Sequence, residues 1–167
     1  MRQITSALLF TFLSSALLSC GGGDLMTAFK SAIKMEPTKV WLQKVYFEVD
    51  EKLNNDAPVT VDLLIAYEES VLKELSKLTA SQYFEKKEQV RRDAGEHIEI
   101  YTYEIVPGQT LGPQTIKLNH LTGQGVIVFA RYATPGDHRQ AVGPDREITL
   151  QMGAKDFKVI PVKNPSE

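Results

Sequence analysis

Three histidines, one cysteine and a few neighbouring carboxylates are the side chains through which this chain of 167 residues could do chemistry, and their spacing excludes most of it. His97, His120 and His138 stand 23 and 18 residues apart, and none has a second histidine or cysteine two residues along a strand or four along a helix. A zinc or copper site needs such neighbours. No HExxH pair is present, and no GxSxG supplies a strained turn for a serine nucleophile. Gly123-Gln124-Gly125 lies between strand-like segments and not before a helix, so it reads as a hairpin turn and not as a phosphate cradle. The carboxylate pairs Asp50-Glu51 and Glu68-Glu69 fall beside loops, where charges are solvated. Lys86, Lys87, Arg91 and Arg92 alternate with Glu85, Glu88 and Asp93, which cancels most of their field. The sequence therefore predicts no catalytic residue, no metal ligand and no cofactor, and an enzyme is not expected.

The single cysteine, Cys20, has a position that explains it. Arg2 precedes an uncharged, mostly apolar stretch from Ile4 to Leu18, and Ser19-Cys20 follows at once. This is the grammar of a secretory signal. Read as a permanent membrane span, the run is diluted by Ser14, Ser15, Ser19 and the glycines that follow Cys20. Leu17-Leu18-Ser19-Cys20 resembles a bacterial lipobox, with Leu18 the less usual residue at its second place. The resemblance implies removal of residues 1–19, diacylation of the Cys20 sulfur and acylation of the new amino terminus. More than one acyl chain makes such anchoring effectively permanent, at about 0.8 kcal/mol per buried methylene. Gly21 stands where an inner-membrane retention signal would carry aspartate, which favours the outer membrane.

Composition bounds what the anchored body can be. With 43% hydrophobic and 24% charged residues the chain is that of an ordinary globular domain, and its length allows one such domain. A formal charge of -2, from 19 basic and 21 acidic side chains, gives no footprint for nucleic acid. Residues 20–38 read as a lipidated tether and residues 39–167 as the domain. From Val40 the apolar period is two: Trp41, Val45, Phe47 and Val49 share one face, which predicts a strand with Trp41 in the core. Asp50 to Pro58 is a polar turn holding a lone Leu53, and Val59 to Tyr67 alternates as a second strand. Val71, Leu72, Leu75 and Leu78 then recur at helical spacing behind Ser70 as N-cap, and a second helix capped by Thr79 or Ser81 runs to Arg92. Strands are expected again over 97–106, 114–119, 125–133, 147–152 and 157–162. The whole predicts an all-β, two-layer sandwich with a helical insertion between its second and third strands, the first helix crossing an edge or end of a sheet.

The order of these features, a lipoprotein signal, LNNDAPVTVDLLIAY, two helices with Tyr83-Phe84, IEIYTYEIVPGQ and GVIVFARY, resembles the TssJ lipoproteins of bacterial type VI secretion systems. The resemblance covers roughly residues 40–162; it departs at Leu63 to Tyr67, where the family's usual strand ending is absent. It implies a transthyretin-like sandwich on the periplasmic face of the outer membrane, binding the periplasmic part of the inner-membrane protein TssM. It also implies that the loop between the first two strands carries the contact, here Leu53, Asn54, Asn55 and Asp56. Leu53 either anchors a small interface or folds back onto the sandwich. A periplasmic small-ligand carrier is the alternative, and a deep apolar pocket would mark it. The lipobox reading generates the first prediction. The wild-type chain incorporates labelled palmitate and fractionates with membranes, whereas Cys20→Ser takes up no label and is released to the soluble fraction.

Overall fold

The computed structural model describes residues 39–120 and 122–162; Cys20 and the expected boundaries at 19 and 38 lie outside them. Among the described residues, eight strands form two four-stranded sheets. They are β1 (Lys44–Val49), β2 (Val59–Ala66), β3 (Ile98–Ile105), β4 (Leu111–Thr115), β5 (Gly125–Ala130), β6 (Arg139–Val142), β7 (Glu147–Met152) and β8 (Phe157–Pro161). One sheet has the order β4-β1-β7-β8 and the other β3-β2-β5-β6. All neighbours are antiparallel except β1 and β7. Helices α1 (Glu69–Leu75) and α2 (Ala80–Ala94) connect β2 to β3. The expected sandwich with its helical insertion is the architecture found.

The two sheets face each other across Val61, Leu63 and Ile65 of β2, Val126 and Val128 of β5, and Ile148 and Leu150 of β7. The other faces of β2 and β5 are also buried. Leu64, Ala66, Ile127 and Phe129 form a second core with Leu72, Leu75 and Tyr83 of the helices. The helices thus cover a sheet face as a third layer, where the sequence suggested passage over an edge or end. A seven-residue α1 is too short to persist in isolation, so burial of Leu72 and Leu75 is what holds it. A Cβ on Gly125 would stand 2.5 Å from Leu72 Cδ2, so only glycine lets α1 lie this close to β5.

Asp62 occupies that helix-covered face and is fully buried. The sequence pattern set it opposite the core face without marking it as buried. Three donors meet its carboxylate: the Tyr83 hydroxyl at 2.7 Å, the Thr102 hydroxyl at 2.6 Å and the Lys87 ammonium at 2.7 Å. Lys87 therefore turns into the sheet, in contrast to the solvated face expected, while Lys86, Arg91 and Arg92 are exposed as expected. Burial, then the bond to Asp62, pushes the Tyr83 hydroxyl well above the usual tyrosine range.

Other local expectations divide. Thr79 caps α2 in a reciprocal box with Gln82, and Gly95 ends it at φ 52°. Glu68 stands at the N-cap of α1 in place of Ser70, which is already inside the helix. The strand expected over 114–119 is shifted to β4, and β6 lies within a segment read as loop, because its four residues, Arg139-Gln140-Ala141-Val142, carry no alternation. Trp41 is 47% exposed and not in the core. The Gln43 and Lys44 N–H groups both donate to the Arg146 carbonyl, at 2.7 and 3.2 Å, so two residues oppose one and the alternation slips before β1 begins. Val40 and Leu42 are buried in its place.

The Asp62 cluster generates the second prediction. Tyr83→Phe costs about 2 kcal/mol through a lost bond to a charged acceptor. Lys87→Met costs about 3 kcal/mol because it strands a buried carboxylate. In urea titrations both lower the midpoint at pH 7. Because the folded state raises the Tyr83 hydroxyl's pKa, its contribution is complete below pH of about 10 and is lost as pH rises further. The wild type therefore loses stability in alkali more steeply than Tyr83→Phe.

Candidate functional site

Strand polarity gathers four connections at one end of the sandwich. β1 and β7 run parallel and end side by side at Val49 and Met152. β3 and β5 run antiparallel to β2, and so end beside its start, with Val59 opposite Ile105 and Val61 opposite Ala130. The segments 50–58, 106–110, 131–138 and 153–156 are consequently neighbours. The chain enters at the opposite end, where Val40 bridges Gly123.

The 50–58 segment is held by its own backbone and by each neighbour. Asp50 N–H donates to the Met152 carbonyl at 2.9 Å, the Asp50 carbonyl accepts from Leu53 and Gly108, both at 3.1 Å, and Asn54 N–H reaches the Gly153 carbonyl at 3.4 Å. Asn54, Asn55 and Asp56 have φ of 48°, 55° and 64°, three consecutive residues in the left-handed region. Asparagine and aspartate tolerate that region best among residues with a Cβ, which accounts for the residue types here. The Asn54 side chain adds the closure: its Oδ1 accepts from Ala133 N–H at 2.8 Å and its Nδ2 donates to the Pro58 carbonyl at 3.2 Å.

The four residues singled out from the sequence therefore divide by burial. Leu53 is 0% and Asn54 4% exposed, so neither presents a side chain to a partner. Of the two readings of Leu53, the structure takes the one that folds it into the core. Asn55 and Asp56 are exposed at the tip. Around them, Glu51, Lys52, Pro58, Ala133 and Pro135 are exposed, and Val106 exposes 45% of its surface. The result is a rigid, mixed polar and apolar surface of loops.

His138, which the sequence left without a role, fastens the far side of this surface. Its ring is buried at φ 42°; Nδ1 lies 3.0 Å from Asp156 Oδ1 and Nε2 lies 2.7 Å from the Thr134 carbonyl oxygen. Both neighbours are acceptors for a ring N–H. The Tyr132 hydroxyl donates to the Asp156 carbonyl at 3.1 Å and the Thr134 hydroxyl to the Lys155 carbonyl at 2.7 Å. Burial pushes the Tyr132 hydroxyl above its ordinary range. Three side-chain bonds thus tie the segments 131–138 and 153–156 together. No sequence signal marks this, since Asp156 is 18 residues from His138 and the left-handed φ falls on a histidine.

Two open depressions flank the loop end. One of about 600 Å³ runs between α2 and 131–138, where the Arg131 guanidinium lies 5.8 Å from the Phe84 ring centroid. The other, about 430 Å³, lies over Glu48, Asp50, Gln151 and Lys158. In the first, the Thr134 hydroxyl lies 3.5 Å from His138 Nε2, but it donates to the Lys155 carbonyl, and Nε2 faces the Thr134 carbonyl oxygen at 2.7 Å. Among the described residues no three histidine, cysteine or carboxylate side chains are grouped to hold a metal ion.

No family model matches the sequence, and no curated protein matches it. Solved structures do resemble its fold. The type VI secretion lipoprotein TssJ1 from Pseudomonas aeruginosa superposes with a TM-score of 0.55 at 17% identity, over 77% of this chain and 99% of that one. Serratia marcescens Lip, a membrane-bound component of the type VI secretion system, gives 0.49 at 14% over 77% and 99%. A structure of the TssM C-terminal domain from EAEC gives 0.47 at 15% over 74% and 99%. The match to TssJ1 shows a shared fold, the one that the resemblance read in the sequence implies.

The loop geometry generates the third prediction. Asn54→Ala loses two side-chain bonds, leaves Ala133 N–H without its acceptor and keeps a strained φ, so it costs about 3 kcal/mol. Asn55→Gly is neutral or slightly stabilising, and Asn55→Val costs about 1.5 kcal/mol. Chemical denaturation of the three variants ranks them; equal midpoints for the glycine and valine variants would contradict the left-handed assignment.

Proposed function

We propose that this protein is a TssJ-like lipoprotein, acylated at Cys20 and held on the periplasmic face of the outer membrane, that serves as a structural component of a type VI secretion membrane complex. Its role is binding and not catalysis. The observation that carries this reading is the fold shared with TssJ1 over 99% of that chain's length, joined to a lipobox-like sequence at the only cysteine. The partner is the periplasmic domain of a TssM-type inner-membrane protein, and it docks on the loop end at Asn55 and Asp56. The placement favours this: those side chains project from a braced loop, at the end of the sandwich opposite the point where the chain enters. A docking surface whose loops are already ordered loses little entropy on binding. Buried apolar side chains line the space between the sheets, and the depressions among the described residues, including an apolar one of about 420 Å³ between α1 and α2, lie open at the surface, which favours a binding module over the small-ligand carrier.

The test removes side chains without disturbing the backbone. Glycine adopts the left-handed φ at no cost, so the double variant Asn55→Gly, Asp56→Gly keeps the loop path and deletes only its contacts. Co-purification with the periplasmic domain of a TssM-type protein is expected for the wild type, with affinity about ten-fold lower for the double variant. Retention of neither form would overturn the partner, and equal retention of both would overturn the site.

A further inference from the structure

Each sheet of an open sandwich ends in two edge strands, and an edge presents a row of unpaired N–H and C=O groups that can template pairing with another chain. The edges here are β4 and β8 in one sheet and β3 and β6 in the other. In an antiparallel pair the backbone groups of alternate residues face the neighbouring strand, so one hydrogen bond of known register fixes which residues face outward.

Three of the edges are blunted. On β4 the Ile116 N–H bond to the Gln43 carbonyl turns Pro113 outward, where it has no N–H to offer, and the register beside it shifts between Val45 and Phe47. On β8 the Val162 N–H bond to the Glu147 carbonyl turns Phe157, Val159 and Pro161 outward. The Gln140 amide occupies that row: its Nε2 donates to the Phe157 carbonyl at 2.6 Å, and its Oε1 accepts from Val159 N–H at 3.2 Å. β6 has four residues, and the Ala130 N–H bond to the His138 carbonyl leaves only Arg139 and Ala141 facing outward.

β3 is the exception. Tyr67 N–H donates to the His97 carbonyl at 2.9 Å, so the odd-numbered residues face β2, and Ile98, Ile100, Thr102 and Glu104 face away. Its pairing with β2 runs over eight residues without a shift in register, and the strand holds no proline, glycine or lysine. Among the described residues no other segment bonds the backbone groups of those outward residues. Ile98 and Ile100 pack in the helix-side core, and Tyr101 and Tyr103 pack against the core between the sheets, so an added strand would meet apolar neighbours on both faces. β3 then passes through the exposed Val106 into the loop end.

We infer that the β3 edge accepts an extended segment of the protein partner as a fifth strand of its sheet. This rests on the reading of the loop end as the docking surface and deepens it, because a partner seated there meets the edge where β3 enters that surface. The segment is rich in β-branched or aromatic residues, which pack beside Ile100 on one face and Tyr101 and Tyr103 on the other. It carries no proline where an N–H meets the outward carbonyls. A second copy of this chain fits the edge less well. Two β3 edges related by a two-fold axis pair antiparallel and point their loop ends in opposite directions, whereas chains anchored on one membrane face share a direction.

The test follows amide hydrogen exchange by NMR in the full acylated protein in detergent, alone and with the periplasmic domain of a TssM-type protein. Alone, the Tyr101, Tyr103 and Ile105 amides, bonded to β2, exchange slowly, and those of Ile100, Thr102 and Glu104 exchange fast. The complex is expected to slow the second set about 100-fold and so to erase the alternation. Glu104→Pro deletes an outward N–H at an exposed position and costs the fold no backbone bond; it weakens the complex about ten-fold, while Glu104→Thr keeps the N–H and binds as the wild type does. A complex in which the even-numbered amides still exchange fast overturns strand addition and leaves the loop-end reading standing. Even-numbered amides already slow in the free protein, together with a dimeric mass in sedimentation, give the edge to a second copy and also overturn it. Failure of any complex to form overturns the partner reading and this inference with it.

Discussion

The structure depends on the double burial of its two central strands. β2 and β5 are buried on both faces, so the sheet that contains them must be covered twice. The first sheet covers one side, and the α1–α2 insertion covers the other. A two-layer sandwich would leave Leu64, Ile127 and Phe129 in water, at a cost of roughly 2 kcal/mol each. The helices are therefore part of the core and not an appendage, and Gly125 marks where the approach of α1 leaves no room for a side chain.

Within that third layer Asp62 sets position where apolar burial alone is permissive. Leucine and phenylalanine contacts tolerate sliding, whereas a buried carboxylate is tolerated only where its donors lie. Tyr83 and Lys87 come from α2 and Thr102 from β3, so one side chain fixes the helix against two strands. Asn54 and His138 repeat the device at the loop end. They are the other two buried polar side chains among the described residues, and each joins segments that are distant in sequence. Every buried polar group is thus a tie between elements.

The facing sides of the sheets and the inner side of the helices are committed to packing, and the loops at one end are braced and exposed. The loop end is a braced surface with Asn55 and Asp56 at its tip, set opposite the end where Val40 bridges Gly123. It arises from strand direction, since the parallel β1–β7 pair and the antiparallel β2–β3 and β2–β5 pairs send all four connections the same way.

The sequence by itself determined the elements whose signal is local. Alternation marked β1, β2, β3, β7 and β8, Thr79 with Gln82 marked the start of α2, and the Asp50 to Pro58 turn was visible in its residue types. The position of Cys20 after an apolar run is likewise read from consecutive residues. Only the tertiary structure decided which side chains of the 50–58 loop remain available. Leu53 and Asn54 were consumed by packing and by the Ala133 and Pro58 backbones, leaving Asn55 and Asp56. It also decided that Trp41 faces outward, since the slip depends on Arg146, about a hundred residues away. It decided that Asp62 is buried, since its partners come from elsewhere in the chain. Periodicity reports which face a residue takes on an ideal strand; it carries no information about bulges, about a second covering layer, or about donors that arrive from distant segments.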